Sequence, residues 1–266
     1  NDTIITGNTV ATTDNGSVAA GGGIYNTGTI TSISNTQITN NTLQGANSTG
    51  DRGGHTRGGG IYNAFEAQIG PISNSSFDNN TLTGGSATTK WAGNAQGGGI
   101  FNDLQASVGE ITNTSFSGNT LTGGISGGRW GGGVAGGGIY QTGTIGTLTN
   151  LTIHGNTLSG GNAGDPTDGL GGDANGGGVF IDYQDSINIV NSTISENRLN
   201  GATGSQSDSS LAGGGIYGAS ESAILLTGVT ISNNSAVAHA SRVFGGGVHI
   251  DYLGNATITN STISGN

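Results

Sequence analysis

Cysteine and methionine are absent from all 266 residues, there are 2 prolines, and only 8% of the chain is charged. Each shortage excludes something. Without cysteine there is no disulfide framework and no thiolate chemistry; secreted proteins can also lack disulfides, so the compartment stays open on this count. The few charges are 16 acidic against 6 basic, a net charge of −10. That balance argues against nucleic acid, which calls for a basic face, and against an anionic membrane surface. No apolar run approaches the roughly 20 residues needed to span a bilayer, so no membrane insertion by this segment is expected. The absence of a signal peptide and an initiator methionine reads as a mature chain or a fragment.

What the chain has instead is glycine, 56 residues of it, without the every-third-residue period of collagen. Nor is this a disordered composition, which pairs high charge with few β-branched residues. Ile, Val and Thr are abundant and regularly placed. A Gly-Gly-Gly-[Ile/Val] block starts at Gly21, Gly58, Gly97, Gly136, Gly176, Gly213 and Gly245. A second block, apolar-x-x-Asn, closes at Asn8, Asn41, Asn80, Asn119, Asn156, Asn197, Asn234 and Asn266. From first glycine to closing asparagine the unit is 21 to 23 residues long, whereas the stretch to the next glycine block varies from 10 to 19. A nearly rigid unit alternating with an elastic stretch is the signature of a solenoid.

A third landmark lies six residues before each closing asparagine: Asn35, Asn74, Asn113, Asn150, Asn191, Gly228 and Asn260. The landmarks cut the unit into three β-rich pieces with Gly or Asn at the corners. The expected fold is all-β: a right-handed parallel β-helix forming one domain over 1–266. It has a partial coil at 1–8 and about seven three-stranded coils beginning near 21, 58, 97, 136, 176, 213 and 245, with variable glycine-rich loops along one edge. Each strand would pair with its counterpart one coil away, at about 4.8 Å. Ile24, Ile61, Ile100, Ile139, Val179, Ile216 and Val248 would stack inward, as would Ile38, Phe77, Phe116, Ile153, Ile194, Ile231 and Ile263. Both asparagine columns are expected to take left-handed corners and to hydrogen-bond along the axis.

These motifs resemble the passenger domains of bacterial autotransporter adhesins, closest to the polymorphic outer membrane protein type with its paired GGA[ILV] and FxxN repeats. Here the first motif is GGGI or GGGV. The second is FDNN at 77–80 and FSGN at 116–119, with Ile replacing Phe in IHGN, ISEN, ISNN and ISGN. The resemblance runs along essentially the whole chain and implies a pectin-lyase-like β-helix at a bacterial cell surface or in the extracellular space. The chain departs from the family in having no C-terminal outer-membrane barrel, so secretion route and anchoring do not carry over.

Three loops of equal length, after Asn41, Asn80 and Asn119, align without gaps. They place Arg52, Trp91 and Trp130 in one column and Asp51, Lys90 and Arg129 in the column before it. Arg52, Lys90, Trp91, Arg129 and Trp130 are therefore the candidate binding group, suited to stacking on sugar rings or to a protein partner. The competing reading folds the tryptophans down as a satellite core. In the longest loop Asp165, Asp168 and Asp173 are candidate Ca²⁺ ligands, against a plain solvated turn; no other cofactor is expected. Tyr25, Tyr62, Phe101, Tyr140, Phe180, Tyr217 and His249 form an outward aromatic stripe, expected to lie beneath the glycine-rich loops.

Polysaccharide lyases and hydrolases share the fold but need facing carboxylates. The acids form no such column: only Asp182 and Asp251 share a register, two coils apart, so no enzyme is expected. His55, His154, His239 and His249 are scattered. The expected role is an adhesin-type rod whose loops bind a host or neighbouring-cell glycan or protein. The runner-up is a structural subunit that associates end to end into a filament, since neither terminus carries a capping pattern. An ice-binding face is set aside because pairs such as Thr29/Thr31 do not recur as a flat array.

Overall fold

The computed structural model describes residues 2–204, 209–237 and 242–266; His239 lies outside them. The described residues are all β, with no helix, and every strand pairing is parallel between successive coils. This is the right-handed parallel β-helix read from the motifs. The coil at Ile100–Asn102 shows the plan. It continues through Ser107–Val108, Ile111–Thr112, Ser115–Ser117, Thr120–Thr122 and Val134–Ala135 before the next coil begins. Equivalent residues of neighbouring coils stand 39 apart here, and between 32 and 41 elsewhere. The stretch between closing asparagine and glycine block is therefore no free loop. It contributes two further seven-stranded ladders, one on each side of a glycine-rich tongue.

Two separate cores result. The first is aliphatic and holds both predicted columns; Ile61, Ile100, Ile139, Phe77, Phe116 and Ile153 are fully buried. The second is thinner and pairs Leu43, Leu82, Leu121, Leu158 and Leu199 with Ala19, Ala95, Val134, Ala174 and Leu211. Between them the coil is pinched to a waist, and here the two sequence motifs meet. A Cβ on Gly59 would lie 2.8 Å from the Asn80 Cβ and 2.6 Å from the Leu82 Cδ1; a Cβ on Gly60 would lie 2.9 Å from the Phe77 ring. Gly58 takes φ +67, open to glycine at little cost. The glycine block and the closing asparagine thus face each other across every coil. Their contact is what holds the length between them nearly constant.

Both asparagine columns hydrogen-bond along the axis, the exposed one through Asn150 to Asn113 and Asn113 to Asn74, but only one of them takes the left-handed corner. Asn35, Asn74, Asn113, Asn150, Asn191 and Asn260 are exposed and take φ between 48 and 55. The closing column is buried and does not take positive φ; the left-handed residue stands one place earlier, at Asn40, Asn79, Gly118, Gly155, Glu196 and Asn233. Its work is hydrogen bonding. The Asn80 backbone N–H and Nδ2 both donate to Asn119 Oδ1, at 2.9 and 3.1 Å, and Asn119 donates in turn to Asn156. The pattern runs through Asn41, Asn156, Asn197 and Asn234. A third ladder, Asn26–Asn63–Asn102, lies at another buried corner. It ends at Gln141; Ile181 takes its place in the next coil, and there two short strands merge into the single strand Ser186–Val190.

Beyond the leucine core the tongue has almost no side chains to pack. Its outgoing and returning limbs are cross-bonded through backbone alone. Gly54 N donates to Ala46 O, Gly85 N to Gly54 O, Gly93 N to Gly85 O, and the zigzag continues through Gly124, Gly132, Gly161 and Gly172 at 2.8 to 2.9 Å. A Cβ on Gly85 would overlap the Ala46 carbonyl. The limbs approach to a distance that only glycine permits.

Candidate functional site

The tip of the tongue carries the candidate binding group, and the structure brings all five residues together. Arg52, Trp91, Trp130 and Leu170 are bridged in register, one per coil. The two indoles stack at 5.0 Å with planes 3° apart. The Arg52 guanidinium lies 5.0 Å from the Trp91 ring centre and that of Arg129 lies 4.3 Å from Trp130. Lys90 meets Asp51 of the preceding coil at 2.6 Å, and Arg129 meets Asp168 of the following coil at 3.6 Å. Lys90 and Thr89 hold the Asp51 carboxyl below its ordinary range. The indole faces are thus occupied by neighbours in the stack. A ligand would meet ring edges and the cations that flank them.

The three acids proposed for Ca²⁺ are not brought together. Asp165 Oδ1 accepts from the Thr167 and Asp168 backbone N–H groups, Asp168 reaches Arg129, and Asp173 Oδ1 accepts from the Ser210 N–H at 2.6 Å. No group of three or more metal-binding side chains occurs among the described residues. The three carboxylates are engaged separately, by a turn, by Arg129 and by the next coil.

Behind the tryptophans a groove runs along the rod axis. Its widest part, about 380 Å³, lies among Arg52, His55, Trp91, Asn94 and Trp130. It continues past Gly133, Leu170 and Asp173 to Tyr140 and Phe180. One wall is the tryptophan stack. At the far end the groove reaches Tyr140 and Phe180 of the aromatic stripe, whose successive rings from Tyr25 to His249 stand 4.5 to 5.4 Å apart. Tyr62, Phe101, Tyr140 and Phe180 are buried in that stripe against Ala135, in the strand that returns from the tongue. The stripe is covered, as expected, from the glycine-rich side.

The floor is polar and built on one rule. In three coils the residue three places before the glycine block accepts, through its side chain, the backbone N–H of its counterpart in the next coil. His55 Nδ1 accepts from Asn94 N and Asn94 Oδ1 from Gly133 N, both at 2.9 Å; Asp173 accepts from Ser210. Burial, aided by Arg57 and Arg52, pushes the His55 pKa down, so its ring is neutral with Nδ1 as acceptor and Nε2–H as donor. Burial likewise raises the Asp173 pKa. The Asn94 amide group retains donors beyond this bond. A Cβ at Gly133 would meet nothing closer than 3.6 Å, so the missing side chain there is open space in the groove. The functional reading of the sequence missed His55 and Asn94. Their shared offset from the glycine block was the signal.

Asp103 joins Asp182 and Asp251 as a third acid at one register position, in alternate coils. The Tyr62 hydroxyl donates to Asp103, and Tyr217 donates to Asp251 at 3.3 Å. Burial and Asp103 push the Tyr62 pKa up to about 12. Comparison of the chain with family models, curated proteins and solved structures finds no match in any of them. What is established is a β-solenoid; the likeness to autotransporter passengers rests on the motifs alone.

Proposed function

We propose that this chain is an extracellular rod of adhesin type on a bacterial surface, and that it binds a neutral glycan chain without cleaving it. The observation that carries the reading is the axial groove. It has the tryptophan stack along one side and a floor that offers the donors of His55 and Asn94 and the acceptor of Asp173. Alternating apolar rings and fixed polar groups suit a polyhydroxylated polymer, whose pyranose faces are apolar and whose rims are hydrogen-bonding. The occupied indole faces make Trp91 and Trp130 a wall and assign orientation to the floor. The surface location rests on the motif resemblance.

The test is binding of the purified chain to a panel of neutral polysaccharides. Gly133→Phe places a ring in open groove and is expected to abolish retention while circular dichroism stays native. Trp130→Ala should weaken it. A chain that binds no member of the panel, or a Gly133→Phe variant that binds as well as the parent, would sink the reading. Immunogold labelling of intact cells tests the location.

A further inference from the structure

The strands Thr9–Ala11, Thr42–Gln44, Thr81–Thr83, Thr120–Thr122 and Thr157–Ser159 form one ladder after the waist. Their middle residues point into the leucine core, so the first and third residues face outward. Pairing in register puts Thr9, Thr42, Thr81, Thr120 and Thr157 in one column. Ala11, Gln44, Thr83, Thr122 and Ser159 form a second column beside it. Thr-x-Thr therefore occurs in two successive coils, with Thr-x-Ser in the next, on a face that the pair Thr29/Thr31 does not belong to. The array has a repeat of about 4.8 Å along the rod and about 6.6 Å across it. Across these five coils the face carries no charge; it ends where Arg198 and Asn200 replace the hydroxyls.

How the hydroxyls are used separates this face from others. At the corner before the Phe77 column, Thr36, Ser75, Thr114 and Ser192 are buried and each donates to a carbonyl two residues back. On the outward face, Thr42, Thr81, Thr83, Thr120, Thr122 and Thr157 have no side-chain hydrogen bond to the protein among the described residues. Their donors and acceptors are unspent, each beside a methyl group. Strand propensity alone accounts for threonine at such positions. It does not call for a column of five threonines, flanked by Thr83 and Thr122, on one uncharged face.

We propose that this face binds ice. A lattice of water presents oxygens at fixed repeats, and the axial repeat of the array is close to an oxygen repeat on a face of hexagonal ice. A soluble ligand would engage few of these groups. A crystal engages all of them at once, and linked weak contacts multiply into firm attachment. The leucine column and the buried Asn41–Asn80–Asn119–Asn156 ladder hold the strands rigid, so little ordering is left to be done on binding. The methyl groups add apolar surface over which water is already restrained.

The experiment is nanolitre osmometry on the full chain, reading thermal hysteresis and crystal shape. The parent is expected to facet ice and to show hysteresis. The double variant T81Y/T120Y should lose most of it, and T81V/T120V, which keeps the shape of the face, should retain a larger part. Thr227→Tyr, on a different ladder, should match the parent. Native circular dichroism of each variant separates loss of the face from loss of the fold. Absence of hysteresis in the parent overturns the proposal, as does full hysteresis in T81Y/T120Y or T81V/T120V. Because the glycan groove lies elsewhere, Gly133→Phe should leave ice shaping intact.

Discussion

One coil contains two ways of closing a solenoid. In the aliphatic lobe the walls are held apart by side chains, Ile100 and Phe116 against their neighbours, and the stabilising quantity is apolar area removed from water. In the tongue there is almost nothing between the limbs, and the zigzag through Gly85, Gly93, Gly124 and Gly132 closes them by backbone hydrogen bonds. The first lobe tolerates changes of side-chain chemistry at constant volume, as the exchange of Phe116 for Ile153 in the next coil shows. The second admits at most a methyl group, at Ala46, Ala92 and Ala202. Glycine abundance in this chain thus reports a second architecture and not looseness.

The comparison can be broken most severely in the aliphatic lobe. Phe116→Ala removes a fully buried ring stacked at 5.0 Å on Phe77. It should cost about 3–5 kcal/mol, read by denaturant unfolding. At the waist, Asn119→Leu orphans the Asn80 backbone N–H and leaves Asn80 Nδ2 with its bond to Ile38 O alone. A cost of about 1–3 kcal/mol for each buried group left unpaired is expected. If that variant proves neutral, the amide ladder contributes nothing net. In the tongue, Gly93→Ala pushes a methyl into the Gly54 carbonyl. Overpacking of about 1–3 kcal/mol is expected, with faster amide exchange at Gly124 and unchanged exchange at Ile100. Uniform loss of protection across both sites would show that the two lobes are not separable.

The smallest expected effect is electrostatic. Burial, with Asp182 nearby, raises the Asp185 pKa to about 7. Its carboxyl holds a proton more tightly folded than unfolded, so stability is lost as pH rises from the ordinary carboxylate range through about 7. Asp185→Asn should therefore melt higher than the parent at pH 8, and the gap should close below pH 4. Partial exposure of the group makes this a modest shift. An equal gap at both pH values would remove the cause.

The repeat, the waist partners and both aliphatic columns were legible because each is a side-chain choice repeated at one position. The tongue was not, because its ladders are made by backbone groups that every residue carries. Strands as short as Thr56–Arg57 also leave no alternation to read. Yet the recurring Leu43, Leu82, Leu121 and Leu158 were in plain sight and mark that region as core. The tryptophan column was visible from loops of equal length; that each ring would cover its neighbour's face needed coordinates. His55, Asn94 and Asp173 differ in chemistry and share only a position, so they do not look like a motif. Both asparagine columns bond along the axis, and only one of them also bends the chain; the two look alike in sequence because both sit near corners.

Since the ladder bonds join successive coils, they point along the rod. A force applied from end to end would load them in tension, and only those between two adjacent coils need break for one coil to leave. The chain released would be about 39 residues, close to 130 Å when drawn out. Such a rod yields in steps under load, each step lengthening the tether while the remaining coils keep their shape.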